Sequence, residues 1–200
     1  MSDLSDEELL RAYRDGDSEA FKVLFQRYRG PLFNFLLRRV GDRGRAEELY
    51  QDSWTKVIER CAEFRGDSKF STWLYTIARN ACIDQQRKMK FRGHASLDEI
   101  QRGANHPMVE RVANPGLAPD QLAVGQALGE RIRIAVEELP EEQREVFLLR
   151  QLQGLAFNEV AEVVGVPVNT VKSRMRYALE RLQLGLDDLR EQAGKGAEKA

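Results

Sequence analysis

The sequence predicts an all-α protein made of two small helical domains joined by a flexible linker, with a helix-turn-helix in the C-terminal domain. Apolar residues recur at three- and four-residue spacing along nearly the whole chain, which is the period of an amphipathic helix. The period disappears from about 91 to 119, where glycine, proline and asparagine accumulate, so this segment is expected to be the linker. No stretch has the pattern of a β-strand architecture.

The first domain is expected to cover residues 1–90. Its predicted helices are residues 6–14, 18–28, 32–40, 45–61 and 71–90. Ser5 and Glu8 have the spacing of a capping box, in which each side chain accepts a hydrogen bond from the other residue's backbone N–H. A break is predicted at 30–31, a Gly-Pro pair, because proline lacks the N–H that a helix interior needs. A second break is predicted at 41–44, which begins and ends with glycine.

The second domain is expected to cover residues 120–186. Helices are predicted at 120–138 and 140–153, ahead of a helix-turn-helix at about 157–176. Pro140, followed by Glu141 and Glu142, is typical of a helix start, because the carboxylates lie at the positive end of the helix dipole. The tail, residues 187–200, loses the apolar stripe and is expected to fray.

The helix-turn-helix is indicated by its turn and by its buried stripe. Gly165 suits the left-handed position that ends a helix, and Pro167 suits the first turn of the next one. The residues expected to be buried are Val160, Ala161, Val163, Val164, Val171, Met175, Ala178, Leu179 and Leu182. The candidate DNA-contacting residues of the second helix are Asn169, Thr170, Lys172, Ser173, Arg174, Arg176 and Tyr177.

This second helix is more basic than the rest of the chain. Residues 172–181 contain four cations and one anion, whereas the formal net charge of the whole chain is −1. A basic helix on a near-neutral protein is typical of phosphate binding, and side chains at the front of a helix in the major groove reach base edges. The alternative is a helical hairpin whose basic face is only solvated.

Composition argues against a membrane protein, a metalloprotein and an enzyme. The apolar runs are only a few residues long, and the acidic N-terminus lacks the pattern of a signal peptide. Cys61 and Cys82 are interpreted as reduced, partly buried residues of a cytoplasmic protein, because they lie inside predicted helices and have no CxxC partner. A zinc site is not expected, since their spacing to His94 and His106 matches no familiar pattern. No Ser/His/Asp, Cys/His or phosphate-loop pattern occurs, so no catalytic residue, cofactor or small-molecule substrate is expected.

The first candidate binding feature of the N-terminal domain is a polar helix face with an aromatic anchor. Its residues are Glu48, Gln51, Asp52 and Trp54. An exposed Trp beside amide and carboxylate groups is typical of a protein-docking surface. The alternative interpretation buries Trp54 in the hydrophobic core with Val57 and Ile58.

The second feature is a short polar loop that leads into an aromatic-rich helix. The loop consists of Phe64, Arg65, Gly66, Asp67, Ser68, Lys69 and Phe70. On the helix, Trp73 and Ile77 are expected to be buried, and Tyr75, Arg79 and Asn80 to face outward. Aromatic and amide groups beside a loop can stack on an unpaired base and hydrogen-bond its edge. The third feature is the basic helix end with Arg87 and Lys88, which suits either phosphate binding or the helix dipole.

A family resemblance is carried by three segments: AEELYQDSW, FRGDSKFSTWLYTIARNACID and LPEEQREVFLLRQLQGLAFNEVAEVVGVPVNTVKSRMRYALERL. Together they resemble bacterial RNA polymerase sigma factors of the extracytoplasmic-function type, over about 18–90 and 121–182. The resemblance implies that 1–90 is sigma domain two and 120–186 is sigma domain four. It also implies a stress-responsive initiation factor with three partners: core RNA polymerase, promoter DNA and an anti-sigma factor.

The resemblance further implies roles for the candidate residues. The polar face of Glu48, Gln51, Asp52 and Trp54 would dock on the clamp helices of the largest polymerase subunit. The resemblance implies that the protein also contacts the polymerase flap. Loop 64–70 and Asn80 would accept a flipped base of the minus-ten element. The basic helix would read the minus-thirty-five element through Lys172, Ser173, Arg176 and Tyr177. Tyr50, Ser53 and Trp54 depart from the residues usual in the family's docking helix.

Two other functions suit parts of the pattern. A stand-alone helix-turn-helix regulator would bind its operator tightly as the free protein and would carry a sensing or dimerising N-terminal domain. The strand-free N-terminal half argues against a receiver domain there. A helical adaptor that binds only proteins would make no DNA contact through the basic helix.

Overall fold

The computed structural model describes the backbone of residues 4–93, 129 and 131–197, and the side chains of 4–90, 129 and 131–185. Within these ranges the chain forms helices and turns and contains no strand, so the all-α prediction is confirmed. The predicted linker beyond residue 93 and the first part of the helix predicted at 120–138 lie outside the described residues.

The N-terminal helices are α1 (Asp6–Arg14), α2 (Ser18–Val40), α3 (Arg43–Arg60) and α4 (Phe70–Gly93), with a 3₁₀ turn at Cys61–Glu63. Each packs on its neighbour in the chain, and α4 returns to pack on α2. The predicted capping box is confirmed: Ser5 Oγ accepts from the Glu8 N–H at 3.2 Å, and Glu8 accepts from the Ser5 N–H at 2.8 Å. These hydrogen bonds hold the pKa of Glu8 below its ordinary value.

The break predicted at 30–31 is wrong, because α2 runs through Pro31 to Val40. A proline in a helix interior costs about 3 kcal/mol, since it removes a hydrogen bond and crowds the preceding turn. Leu24 before the proline and Leu32, Phe35 and Leu36 after it are all fully buried. Burying each such side chain contributes roughly 1.5–3 kcal/mol, so packing along one continuous apolar side outweighs the proline.

The C-terminal helices are α5 (131–138), α6 (Glu141–Phe147), α7 (Phe157–Val164) and α8 (Val168–Ala197). The helix predicted at 140–153 forms as α6 but widens into a π-helical turn at Leu148–Leu152. Two predictions are wrong here. The tail stays helical to Ala197, because residues 189–193 are good helix formers and no proline interrupts them, although two glycines follow. Leu179, predicted to be buried, is 46% exposed, since it lies at the edge of the stripe.

The two helical units pack against each other. Helix α4 lies on α7, and α2 contacts the π-helical turn. At the centre of this contact, Glu145 of α6 is 4% exposed and bridges two arginines of the N-terminal unit. Its Oε1 lies 3.0 Å from Arg39 Nη1 and 2.9 Å from Arg79 Nε. Arg39 also contacts the exposed Glu141 at 3.2 Å. In the free chain the two units therefore adopt a closed arrangement, with a buried ionic cluster between them.

Candidate nucleic-acid and protein interfaces

The predicted helix-turn-helix is formed by α7 and α8. Gly165 has a φ of +72°, the left-handed conformation that glycine adopts without strain, and its N–H donates to Ala161 O at 2.9 Å. Val160, Ala161, Val163 and Val164 of α7 are buried, as predicted. They meet a matching stripe on α8, formed by Val171, Met175, Ala178 and Leu182. One face of α8 is thus buried against α7, and its opposite face is accessible to a partner.

The outward face of α8 presents most of the candidate DNA-contacting residues. Exposed side chains there are Asn169, Lys172, Ser173, Arg176 and Tyr177, while Thr170 is half-buried. The Arg176 guanidinium lies 4.4 Å above the Tyr177 ring and 2.8 Å from Glu180. Arg174 is different, because its side chain is only 19% exposed and bonds Glu142 of α6 at 2.6 Å. In this arrangement Arg174 joins two helices and is not free on the outer face.

The loop between α3 and α4 is anchored at both ends and exposed in the middle. Phe64 and Phe70 are buried, and their rings lie 5.2 and 6.1 Å from that of the half-buried Trp73. Gly66 has a φ of +81°, which lets the loop reverse direction. The exposed residues are Arg65, Gly66, Asp67 and Lys69, while Ser68 is half-buried. Phe64 and Phe70 therefore act as anchors, and the residues between them form the accessible part.

Helix α1 supports this loop. Glu7 Oε1 accepts a hydrogen bond at 2.8 Å from the Phe70 N–H, which lies at the start of α4. Asp6 pairs with Arg27 of α2 at 2.7 Å and accepts from the Tyr28 hydroxyl. Burial, followed by the hydrogen bond to Asp6, raises the pKa of Tyr28 above its ordinary value, so this hydroxyl stays a donor. The loop thus has fixed support at its α4 end.

Tyr75 and Arg79 do not face outward as predicted. Tyr75 is 1% exposed, packs on Phe35 and donates its hydroxyl to Gln153 in the C-terminal unit. Burial raises its pKa above the ordinary value. Arg79 bonds Glu145, as described above. The helical period placed both on the outer side of α4, but that side is covered by the second unit. Asn80 is exposed, as predicted.

Lys69 is also occupied by the C-terminal unit. Its ammonium lies 2.8 Å from Glu159 Oε1 of α7, while Glu159 Oε2 accepts from the Ala156 N–H at 2.7 Å. This contact raises the pKa of Lys69. Burial alone would raise the pKa of Glu159, but the hydrogen bonds from Lys69 and Ala156 bring it below the ordinary value. Three residues predicted to contact the minus-ten element, Lys69, Tyr75 and Arg79, are therefore held by α6, α7 and the turn between them.

The candidate docking face lies on α3. Glu48, Gln51 and Asp52 are exposed, but Trp54 is 6% exposed and packs between Phe21 and Phe25. Trp54 is therefore a hydrophobic-core residue and not an exposed anchor, as the alternative interpretation had it. Ile58, which that interpretation buried, is 44% exposed, because it lies on the outer side of α3.

A groove of about 370 Å³ runs beside this face, between α3 and α4. Glu48 and Asp52 line it together with Lys88 of α4. The structure thus places Lys88 beside the docking residues and away from loop 64–70. Arg87 is exposed on the same helix.

Sequence reasoning missed the residues that close the two units on each other: Arg39, Glu145, Gln153 and Glu159. A signal for Glu145 was present, since it lies three and four residues before the buried Leu148 and Leu149. A carboxylate on an apolar stripe is costly unless it is paired, so its position indicated a partner. Its partners, from α2 and α4, are distant in sequence and could not be read from spacing.

No metal or membrane site emerges from the described part of the chain. No group of three or more His, Cys, Asp or Glu side chains lies close enough to hold a metal ion among the described residues. No described helix is long and apolar enough to cross a membrane. Cys61 is half-buried and Cys82 is buried, and both are free thiols. Burial raises the pKa of Cys82 to about 11, so it is protonated and unreactive at neutral pH.

Comparison with known proteins identifies both halves of the chain. Residues 24–92 match the family model for Sigma-70 region 2, and residues 129–182 match that for Sigma-70, region 4. The chain is 31% identical to the ECF RNA polymerase sigma-E factor of Salmonella typhimurium, over 90% of this chain and 93% of that one. It is 29% identical to the ECF RNA polymerase sigma factor SigW of Bacillus subtilis, over 90% of this chain and 96% of that one.

A solved structure shares the fold. The sigma factor RpoE from Bartonella quintana, in complex with the anti-sigma factor NepR, superposes with a TM-score of 0.67. It is 28% identical, and the match covers 84% of this chain and 96% of that chain. The two family matches, in this order along the chain, and the relatives that span nearly all of it agree with each other. This chain therefore belongs to the extracytoplasmic-function family of RNA polymerase sigma factors.

Proposed function

We propose that this sigma factor binds core RNA polymerase through the exposed face of α3 and directs it to promoters through two DNA-contacting surfaces. Loop 64–70 with Asn80 contacts the minus-ten element, and the outward face of α8 reads the minus-thirty-five element. The observation that carries the proposal is the geometry of α7 and α8. The turn between the two helices has Gly165 in the left-handed conformation. The exposed face of the second helix carries two cations, an amide and two hydroxyls, which are groups that suit the major groove.

The closed arrangement supports regulation by release. In this arrangement Arg79 is engaged by the buried Glu145, and Lys69 must exchange its bond to Glu159 before it contacts a phosphate. Bartonella RpoE was solved with an anti-sigma factor. We propose that an anti-sigma factor likewise holds this chain inactive until a stress signal releases it. The chain then acts in the cytoplasm, where polymerase and DNA are, and lends specificity to the polymerase without catalysing a reaction itself.

Run-off transcription tests the function directly. Core polymerase with and without this protein is assayed on a promoter library. Initiation that depends on the protein and selects a shared promoter motif is the expected result. Binding of the free protein to DNA, with no association with core polymerase, would favour the stand-alone regulator. Association with the polymerase without any DNA contact would favour the adaptor.

Gln51→Ala is expected to weaken binding to core polymerase. Gln51 is exposed on α3, so truncation removes a contact and no hydrophobic-core packing. A residue central to an interface costs more than about 1 kcal/mol when it is truncated, which is a loss of at least about fivefold in affinity. Titration of labelled core polymerase measures the change. Gln26→Ala, at an exposed glutamine of α2, is the matched control; equal affinity of both variants would reject the docking assignment.

Asn80→Ala is expected to slow open-complex formation and to leave closed-complex binding unchanged. The exposed amide is available to the edge of a flipped base, which is accessible only after melting. Loss of one such hydrogen bond costs about 0.5–1.5 kcal/mol, so the rate of open-complex formation is expected to fall by about two- to tenfold. Permanganate footprinting over time separates the two stages. Equal losses at both stages would contradict the flipped-base role.

A further inference from the structure

A cleft between α1 and the start of loop 64–70 has the charge of an anion site. Its volume is about 500 Å³, and its charged lining residues are Arg11, Arg14, Arg65 and Glu7. Three guanidinium groups thus face a space with a single carboxylate, on a chain whose net charge is −1. All three arginines are exposed and can reach a ligand.

The carboxylate in the cleft is already engaged. Glu7 Oε1 accepts from the Phe70 N–H, so it is directed toward the start of α4. Arg11 donates through Nε to the backbone O of Glu7 at 3.3 Å, which leaves its terminal N–H groups available. Neither Arg14 nor Arg65 forms an ion pair with a carboxylate of the described residues. The cleft therefore has uncommitted hydrogen-bond donors as well as positive charge.

A neighbouring cleft along the same loop has a different charge. This second cleft, of about 580 Å³, shares Ser5, Glu7 and Gly66 with the first and continues along loop 64–70. Its charged lining residues are three carboxylates, Asp6, Glu7 and Asp67, and two cations, Arg27 and Lys69. A phosphate backbone is therefore favoured more on the α1 arginine side of the loop than in this second cleft.

We infer that Arg11 and Arg14, together with Arg65, bind backbone phosphates of the single DNA strand where it leaves loop 64–70. The inference rests on the proposed function, since it extends the minus-ten surface onto α1. Helix α1 lies outside the segment matched as Sigma-70 region 2, which begins at residue 24. The site reads no base. Guanidinium groups at the surface bind phosphate through charge and paired N–H donors, in a manner independent of sequence and sensitive to salt.

The test uses the full chain bound to core polymerase. The probe is a fluorescent single-stranded oligonucleotide that carries the minus-ten sequence selected from the promoter library. Its affinity is measured from about 50 to about 200 mM salt for the wild type and for the Arg11→Gln, Arg14→Gln double variant. Each lost phosphate contact lowers the slope of log affinity against log salt by about 0.7 for a single strand. Over this fourfold rise in salt, the affinity of the double variant is therefore expected to fall by a factor about seven times smaller than the affinity of the wild type.

The controls separate a phosphate site from other causes. Lys22→Gln removes an exposed cation of α2 that bonds Glu19 at 2.6 Å and lines neither cleft, and its salt slope is expected to equal that of the wild type. The double variant should bind core polymerase like the wild type and should lose the same factor on matched and mismatched oligonucleotides. A double variant that keeps the wild-type slope would overturn the inference alone. A wild-type holoenzyme that fails to prefer the selected sequence would overturn the proposed function as well.

Discussion

Glu145→Ala is expected to open the two helical units of the free protein. The substitution leaves Arg39, whose side chain is 5% exposed, and Arg79 in the interface without their shared carboxylate. Removing one partner of a buried ion pair costs about 3–5 kcal/mol, and the buried Arg39 would keep only the exposed carboxylate of Glu141. Opening allows water to solvate both guanidinium groups and so removes this cost. The equilibrium should therefore move toward the open form by about a hundredfold or more.

Two measurements follow this opening. Small-angle scattering should give a larger radius of gyration for the variant. In a Cys61→Ser background, the Cys82 thiol should react faster with a thiol reagent, because it is fully buried and lies beside Arg39 and Glu145 in the closed form. Glu141→Gln is the matched control. Glu141 contacts the same arginine at 3.2 Å but is exposed, and such pairs contribute about 0–1 kcal/mol. Identical behaviour of the two variants would show that Glu145 does not hold the units together.

Arg176→Ala is expected to change which promoters are used. In the free protein the Arg176 side chain is 60% exposed and bonds Glu180 at 2.8 Å, a surface pair of about 0.3–0.5 kcal/mol. A bidentate contact to a guanine edge discriminates by about 1–3 kcal/mol, so the arginine gains by exchanging its partner. Selectivity at one base pair of the minus-thirty-five element should fall by about 5- to 150-fold.

Promoter selection with the variant holoenzyme measures this change. A relaxed preference at one position, with other positions intact, is the expected pattern. Glu180→Ala serves as the control, because it removes the surface partner and keeps the arginine; it should retain the wild-type motif. A uniform loss across all promoters would assign Arg176 to a phosphate.

Local sequence signals were sufficient for most of the helices and for the turn at Gly165. The capping box at Ser5 and the stripe of Val160 to Val164 are set by residues a few positions apart, and such interactions do not depend on the rest of the chain. The prediction of a break at Pro31 was wrong because the outcome there depends on residues far away in the chain. The local cost of a proline was read correctly, but the packing of Leu32 and Phe35 against distant helices outweighs it.

Some candidate residues could likewise be assigned from local sequence signals, and others depend on distant residues. Exposure of Glu48, Gln51, Asn80 and the outward face of α8 followed from helical period alone, because solvent covers those faces in this arrangement. Trp54 could not be assigned, since a large aromatic suits both a docking surface and a hydrophobic core. Its burial depends on Phe21 and Phe25 of α2, about thirty residues away in the chain.

The sequence by itself determined the helical class, the helix-turn-helix and the family, because all three depend on residue types at short and regular spacing. Only the tertiary structure decided that Lys69, Tyr75 and Arg79 are occupied by the second unit and that Arg11 and Arg14 share a cleft with Arg65. The physical reason is that these groups meet across long sequence separations. Their charges interact through space, and the position of each partner depends on how the helices pack.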